Sequence, residues 1–208
     1  MDYLVNETFY SLKGEGAYTG FPMFFIRLSG CNLKCHFCDT LHQTGEFRSI
    51  ENLMKEVEES GTDRVVITGG EPLIHNIVPL CEALDAEDYC IHLETNGTIP
   101  IPAVLARHWI ACSPKSDIET LNSDTITNAN ELKFLVGERG WFDYIDKVVE
   151  KFNPIGTLYV MPVSVGGHPG IRGPKDIIEE HVRLAVEYCL DHPRFALCMQ
   201  MHKVLGVR

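Results

Sequence analysis

Short apolar runs alternate with amphipathic stretches along most of the chain. Residues 22–29 hold Met23, Phe24, Phe25, Ile26 and Leu28 around a single charge, Arg27, and read as a buried strand. Residues 49–60 carry Ile50, Leu53, Met54 and Val57 at helical spacing; Ser49 is placed to cap the start and Gly61 follows the end. Further strands are predicted at 64–68, 89–95, 109–112, 131–136 and 157–161, with helices at 74–86 and 141–151. A glycine-rich loop at 166–170 leads to a long helix at 174–190, with Pro174 in its first turn and Ile178, Val182, Ala185, Val186 and Cys189 on its apolar face. A last strand is predicted at 195–199. Repeated βα units imply an α/β fold, a parallel sheet with helices outside, in one domain spanning 1–208.

Composition narrows the function classes. A net charge of -11 argues against a polyphosphate partner, so no nucleic acid is expected. No apolar run reaches the roughly 18–20 residues of a membrane span, and the N-terminus lacks a basic start and an apolar core. Of eight cysteines, Cys81, Cys90, Cys112, Cys189 and Cys198 lie in apolar stretches and read as buried free thiols. A cytoplasmic location suits them.

The other three cysteines change the picture. Cys31, Cys35 and Cys38 are spaced C-x3-C-x2-C just past the first predicted strand. Three thiolates on one short loop can hold three corners of a 4Fe-4S cubane, which normally takes four, and leave one iron open to a small molecule. A zinc site with His36 or His42 as fourth ligand is the competing reading, although a second Cys/His pair at zinc-finger distance is missing. Three later strands end in polar motifs: Thr68-Gly69-Gly70-Glu71-Pro72, Glu94-Thr95-Asn96-Gly97 and Ser113-Pro114-Lys115. Each alone is an ordinary turn. In parallel α/β folds, however, such strand ends are where functional groups gather.

The cysteine spacing resembles the signature of the radical S-adenosylmethionine enzymes. That resemblance implies a partial (β/α) barrel with the cluster at the strand C-terminal ends. S-adenosylmethionine would chelate the open iron and yield a 5′-deoxyadenosyl radical. Within that superfamily the order of motifs is similar to the 7-carboxy-7-deazaguanine synthase family: Leu12-Lys13-Gly14-Glu15-Gly16, Arg27, Cys38-Asp39-Thr40, the three strand ends, and Gln200-Met201-His202-Lys203. The family rearranges 6-carboxy-5,6,7,8-tetrahydropterin to 7-carboxy-7-deazaguanine with loss of ammonia, on the route to queuosine.

By matching positions, the resemblance places Leu12, Lys13, Gly14, Glu15, Arg27, Thr68, Glu94, Asn96, His202 and Arg208 around the pterin. Arg27 would meet the substrate carboxylate. Phe37, Asp39, Gly70, Ser113, Pro114 and Lys115 would contact S-adenosylmethionine, and the Thr40 hydroxyl would bind Mg²⁺. An external electron donor such as flavodoxin or ferredoxin and a homodimer are also implied. The chain departs from the family at Lys13 and Met161, where Gln is common. The alternatives are an activating enzyme that places a glycyl radical on a partner protein, and a non-catalytic zinc or iron–sulfur module.

Overall fold

A computed structural model describes residues 1–164 and 177–207. The loop expected at 166–170, Pro174 and Arg208 lie outside the described residues. Nine strands form one sheet: β1 (Asp2–Leu12), β2 (Pro22–Leu28), β3 (Glu46–Ser49), β4 (Arg64–Gly69), β5 (Cys90–Thr95), β6 (Trp109–Cys112), β7 (Glu131–Val136), β8 (Thr157–Pro162) and β9 (Phe195–Leu197). Their order is β3-β1-β2-β4-β5-β6-β7-β8-β9. β2 and β4 through β9 run parallel, while β1 pairs antiparallel with both β2 and β3. The helices are α1 (Ile50–Ser60), α2 (Val78–Ala86), α3 (Ser123–Asn128), α4 (Phe142–Phe152), α5 (Glu179–Asp191) and α6 (Met201–Leu205).

Strand alternation sorts the side chains into two layers. Phe24, Ile26, Leu28, Val65, Ile67, Ile91, Leu93, Ile110, Leu132, Phe134, Leu158 and Val160 belong to the main core, together with Leu53, Val57, Leu80, Leu84, Ile145 and Val148 of the helices. The opposite face of the sheet starts with Met23, Phe25 and Val66, packed with Phe9 and Tyr18. Further along, that face becomes polar: Arg27, Thr68, Glu94, Ser113 and Lys133 line a cavity.

The sheet is open, with β3 and β9 at its edges, but it curls until its two sides meet. Met201 N, just past β9, donates to Gly14 O, just past β1, at 2.9 Å. Gly16 N donates to Cys198 Sγ at 3.2 Å. This is the partial barrel that the resemblance implies.

Several local expectations hold. Ser49 Oγ accepts from Asn52 N at the start of α1, and Gly61 closes it in the left-handed region at φ 69°. Others need correcting. The strand β1 was not expected, because its length is half-exposed and only Tyr3 and Val5 give an apolar alternation. Helix α2 begins at Val78 rather than at 74, because Pro79 is tolerated only in a first turn; Pro72–Ile74 forms a separate 3₁₀ turn. In α5 the buried residues are Leu184, Ala185 and Tyr188, and Val186 faces out. Tyr188 takes the core position because its hydroxyl reaches Asp146 at 2.5 Å. Of the scattered thiols Cys81, Cys112 and Cys198 are buried, Cys189 is half-buried and Cys90 is exposed. Among the described residues no helix is long and apolar enough to cross a membrane.

Candidate active site

A cavity of about 740 Å³ opens at the C-terminal ends of the parallel strands. Cys31, Cys35 and Cys38 form one wall. Their loop is held by backbone and side-chain bonds. Gly30 N donates to His42 O at 2.7 Å, Glu71 N to Gly30 O at 2.9 Å, and Cys38 N to Cys35 O at 3.2 Å. Gly70 must be glycine here: a Cβ would collide with Gly30 O and lie 2.7 Å from Cys31 Cβ. Burial pushes the Cys31 and Cys35 thiols up, and the Lys115 charge works in the opposite direction on both. Among the described residues no three His, Cys, Asp or Glu side chains converge on a single-ion position. Thiolates that each ligate a different iron of a cubane need no such convergence. Three cavity-facing cysteines on a braced loop fit a three-cysteine cluster.

The neighbouring strand ends act as one unit. Glu71 is fully buried, and its carboxylate accepts from Leu73 N at 3.1 Å, Thr95 Oγ1 at 2.9 Å and Asn96 N at 2.6 Å. Burial raises its pKa, with the Asn96 and Leu73 N–H donors opposing. Glu71 therefore staples β4 to β5. The Asn96 side chain donates to Asn32 Oδ1 at 2.9 Å, which ties β5 to the cysteine loop. Ser113 Oγ donates to Lys133 O at 3.0 Å.

The same cavity is lined by a lattice of charges. Lys133, 1% exposed, reaches Glu15 Oε2 at 2.8 Å and Glu94 Oε2 at 2.6 Å. Lys13 pairs with the other oxygen of Glu94. Burial alone would raise the Glu15 carboxyl, but the Lys133, His202 and Lys13 charges hold it well below the ordinary carboxylate range. Burial lowers Lys133, yet Glu15 and Glu131 outweigh it and raise its pKa. Burial and the like charge of Lys133 push Lys13 down to about 7, while Glu15 and Glu131 oppose. The direct contact with Glu94 also favours the ammonium.

Arg27 projects into the cavity from β2, as its alternation requires. Its Nε donates to Glu7 Oε1 at 2.9 Å. The partner follows from a bulge in β1: the register shifts between Val5 and Glu7, which sets Glu7 directly across from Arg27. The expected carboxylate partner of this half-buried charge is thus in part the protein's own. Leu12, Gly14, Thr68 and His202 also line the cavity, as do Phe37, Asp39 and Thr40. Thr40 Oγ1 donates to Asp39 Oδ1 at 3.4 Å. Pro114 is the exception: it is buried but is not a lining residue, because the chain turns it away between Ser113 and Lys115.

The sequence pattern gave no role to Lys133, Ser164, Gln200 or Lys203, all of which line the cavity. For Lys133 there was a usable signal. Glu131 and Lys133 stand two apart in an otherwise apolar strand, so both charges fall on one face.

Comparison with known proteins agrees with this geometry. The Radical SAM superfamily model matches residues 25–185. A 7-carboxy-7-deazaguanine synthase from Bacteroides thetaiotaomicron is 33% identical over 204 residues, covering 98% of each chain. One from Synechocystis is 34% identical over 214 residues, covering 100% of this chain and 95% of its own. The chain belongs to the 7-carboxy-7-deazaguanine synthase family of radical SAM enzymes. The crystal structure of QueE from Escherichia coli superposes with a TM-score of 0.80 at 28% identity, covering 97% of this chain and 95% of that one. Membership in the radical SAM superfamily implies a 4Fe-4S cluster and S-adenosylmethionine as cofactors. The departures at Lys13 and Met161 both sit in the cavity lining of this family member.

Proposed function

We propose that the chain converts 6-carboxy-5,6,7,8-tetrahydropterin to 7-carboxy-7-deazaguanine with loss of ammonia, as part of queuosine biosynthesis in the cytoplasm. The observation that carries the reading is one cavity lined both by three cysteines and by the Lys13–Glu94–Lys133–Glu15 lattice. When bound, the cluster supplies the electron that cleaves S-adenosylmethionine. The protein's own groups bind and orient. Glu94 and Glu15, each paired with a buried lysine, present acceptors to the N–H groups of the aminopyrimidinone ring. The Lys13 ammonium is a donor to a ring carbonyl, and the terminal nitrogens of Arg27 are donors to the carboxylate. Gly70 lets the backbone approach the methionine moiety, and Phe37, 5.2 Å from the Trp141 ring, offers an apolar face to adenine.

Magnesium fits beside the Thr40 hydroxyl, a hard oxygen facing the cavity next to Asp39. Reduction by flavodoxin or ferredoxin and work as a homodimer complete the reading. Leu190 and Leu197, exposed on α5 and the edge strand β9, support pairing with a second copy. The relatives named above favour this reaction over glycyl-radical activation.

The test is direct. Reconstituted protein with the carboxylated tetrahydropterin, S-adenosylmethionine, Mg²⁺ and a reductant is expected to form 7-carboxy-7-deazaguanine, seen by mass spectrometry. Cleavage of S-adenosylmethionine without that product would reject the substrate. A Thr40→Ala protein with an unchanged magnesium response would reject only the magnesium assignment.

A further inference from the structure

The C-terminal segment does more than cover the cavity. Lys203, 6% exposed, donates from Nζ to Asp39 Oδ2 at 2.8 Å and to Ser164 Oγ at 2.5 Å. Ser164 Oγ donates in turn to Gln200 Oε1 at 2.5 Å. Gln200 Nε2 then reaches two carboxylates, Glu15 Oε1 at 2.7 Å and Asp39 Oδ2 at 3.3 Å. Five residues, from four separate stretches of chain, form one closed network.

Each stretch has a different duty. Asp39 follows Cys38 directly, Glu15 belongs to the charge lattice, Ser164 follows β8, and Gln200 and Lys203 belong to the C-terminal segment with α6. Nothing in the cysteine triplet's own bonding requires this distant anchor. We propose that Lys203 is a positioning residue: through its ion pair with Asp39 it fixes the cysteine loop against the C-terminal segment, and through Gln200 it links that loop to the pterin side of the cavity.

The bonding is asymmetric. Lys203 is an almost fully buried ammonium, whereas the Asp39 side chain is 37% exposed. Without Lys203, Asp39 keeps water and Gln200 as partners, so the loop loses its anchor while the fold keeps no buried orphan charge. A lysine that served only to fill space would be replaced by Met without loosening a loop in a different part of the sequence.

The proposal rests on the cysteine loop as the cluster site but not on the identity of the substrate, so its test omits the pterin. Anaerobically reconstituted full-length protein is followed by hydrogen–deuterium exchange and by the rate of iron release to a chelator. In Lys203→Met, exchange across 31–42 is expected to rise about tenfold and iron release several-fold, with β4 and β5 unchanged. Lys203→Arg, which keeps a cation, is expected to restore most of the protection. In an Asp39→Asn background, Lys203→Met is expected to add less than twofold.

Wild-type exchange across 31–42 in Lys203→Met overturns the proposal. So does full additivity of the two substitutions, or loosening spread evenly over β4 to β7. If Lys203→Met fails to fold, Asp39→Asn alone decides. It is expected to loosen both 31–42 and 200–207, and unchanged exchange in either segment overturns the inference.

Discussion

At the scale of single residues, burial decides which thiols can be ligands. Cys81 is buried in the core, and burial pushes its thiol up to about 12, so it stays protonated. Cys31→Ala, Cys35→Ala and Cys38→Ala are each expected to abolish iron binding and turnover, while Cys81→Ala keeps full iron content. Iron and sulfide analysis after reconstitution checks this, and a triplet variant with normal iron would refute the ligand set. Lys13 offers a second check. Its ammonium, held near 7, is present below that pH and lost above it. The KM for the pterin is therefore expected to rise as pH climbs through about 7, and Lys13→Gln, whose amide does not titrate, should flatten that rise. A wild-type KM independent of pH from 6 to 8.5 would count against the assignment. The cysteines were legible because their spacing is local. Lys133 was legible only in part: alternation with Glu131 marks a polar face, but its partner lies 118 residues away.

At the scale of elements, apolar runs revealed the parallel strands because most of their residues are buried. β1 was hidden because it is half-exposed and takes its order from pairing with β2 and β3. The hidden strand matters, since its bulge brings Glu7 to Arg27. Arg27→Lys keeps the charge but loses the planar fork. It is expected to raise the pterin KM about tenfold, equivalent to roughly 1.4 kcal/mol, with iron content unchanged. Steady-state kinetics with Arg27→Lys and Arg27→Ala both like wild type would move the carboxylate elsewhere. The strand-end motif following β4 has a different lesson. Its glutamate reads as part of a ligand loop, yet Glu71 accepts three bonds from its own protein. Glu71→Gln would turn one oxygen into a donor facing donors. The expected loss is about 1–3 kcal/mol, read from urea denaturation of the apoprotein, and wild-type stability in that variant would refute the staple.

At the scale of the whole molecule, an open sheet must be held in its curl. The bond from Met201 N to Gly14 O and the bond from Gly16 N to Cys198 Sγ, which join the turn after β1 to the segment after β9, do part of this. Lys133 does the rest from the inside, because it stands on β7 and grips Glu15 beyond β1 and Glu94 at the end of β5. Lys133→Met keeps the volume but removes the cation that Glu15 and Glu94 share, leaving Glu94 with Lys13 and Glu15 with the Gln200 amide. Breaking a fully buried pair from one side costs about 3–5 kcal/mol. Glu15 and Glu94 keep some access to the cavity water, 19% and 16% exposed, so the expected loss is nearer 2–3 kcal/mol. Urea denaturation of the apoprotein at pH 7 should show a lower midpoint with an unchanged slope. The pH dependence gives an independent reading. The Glu15 carboxyl is depressed in the folded state, so its stabilisation is complete above the unfolded value, about 4.3, and is lost as pH falls toward the folded one. Lys133 is raised, so its share is complete below about 10.4 and is lost only as pH climbs through its folded value. Between those limits the Lys133–Glu15 pair acts at full strength. Wild-type stability should therefore fall between pH 5 and 3 by more than that of Lys133→Met, in which Glu15 has lost the largest of the charges that depress it. Parallel curves for the two proteins over that range would show that the curl is held by the backbone and the apolar floor alone.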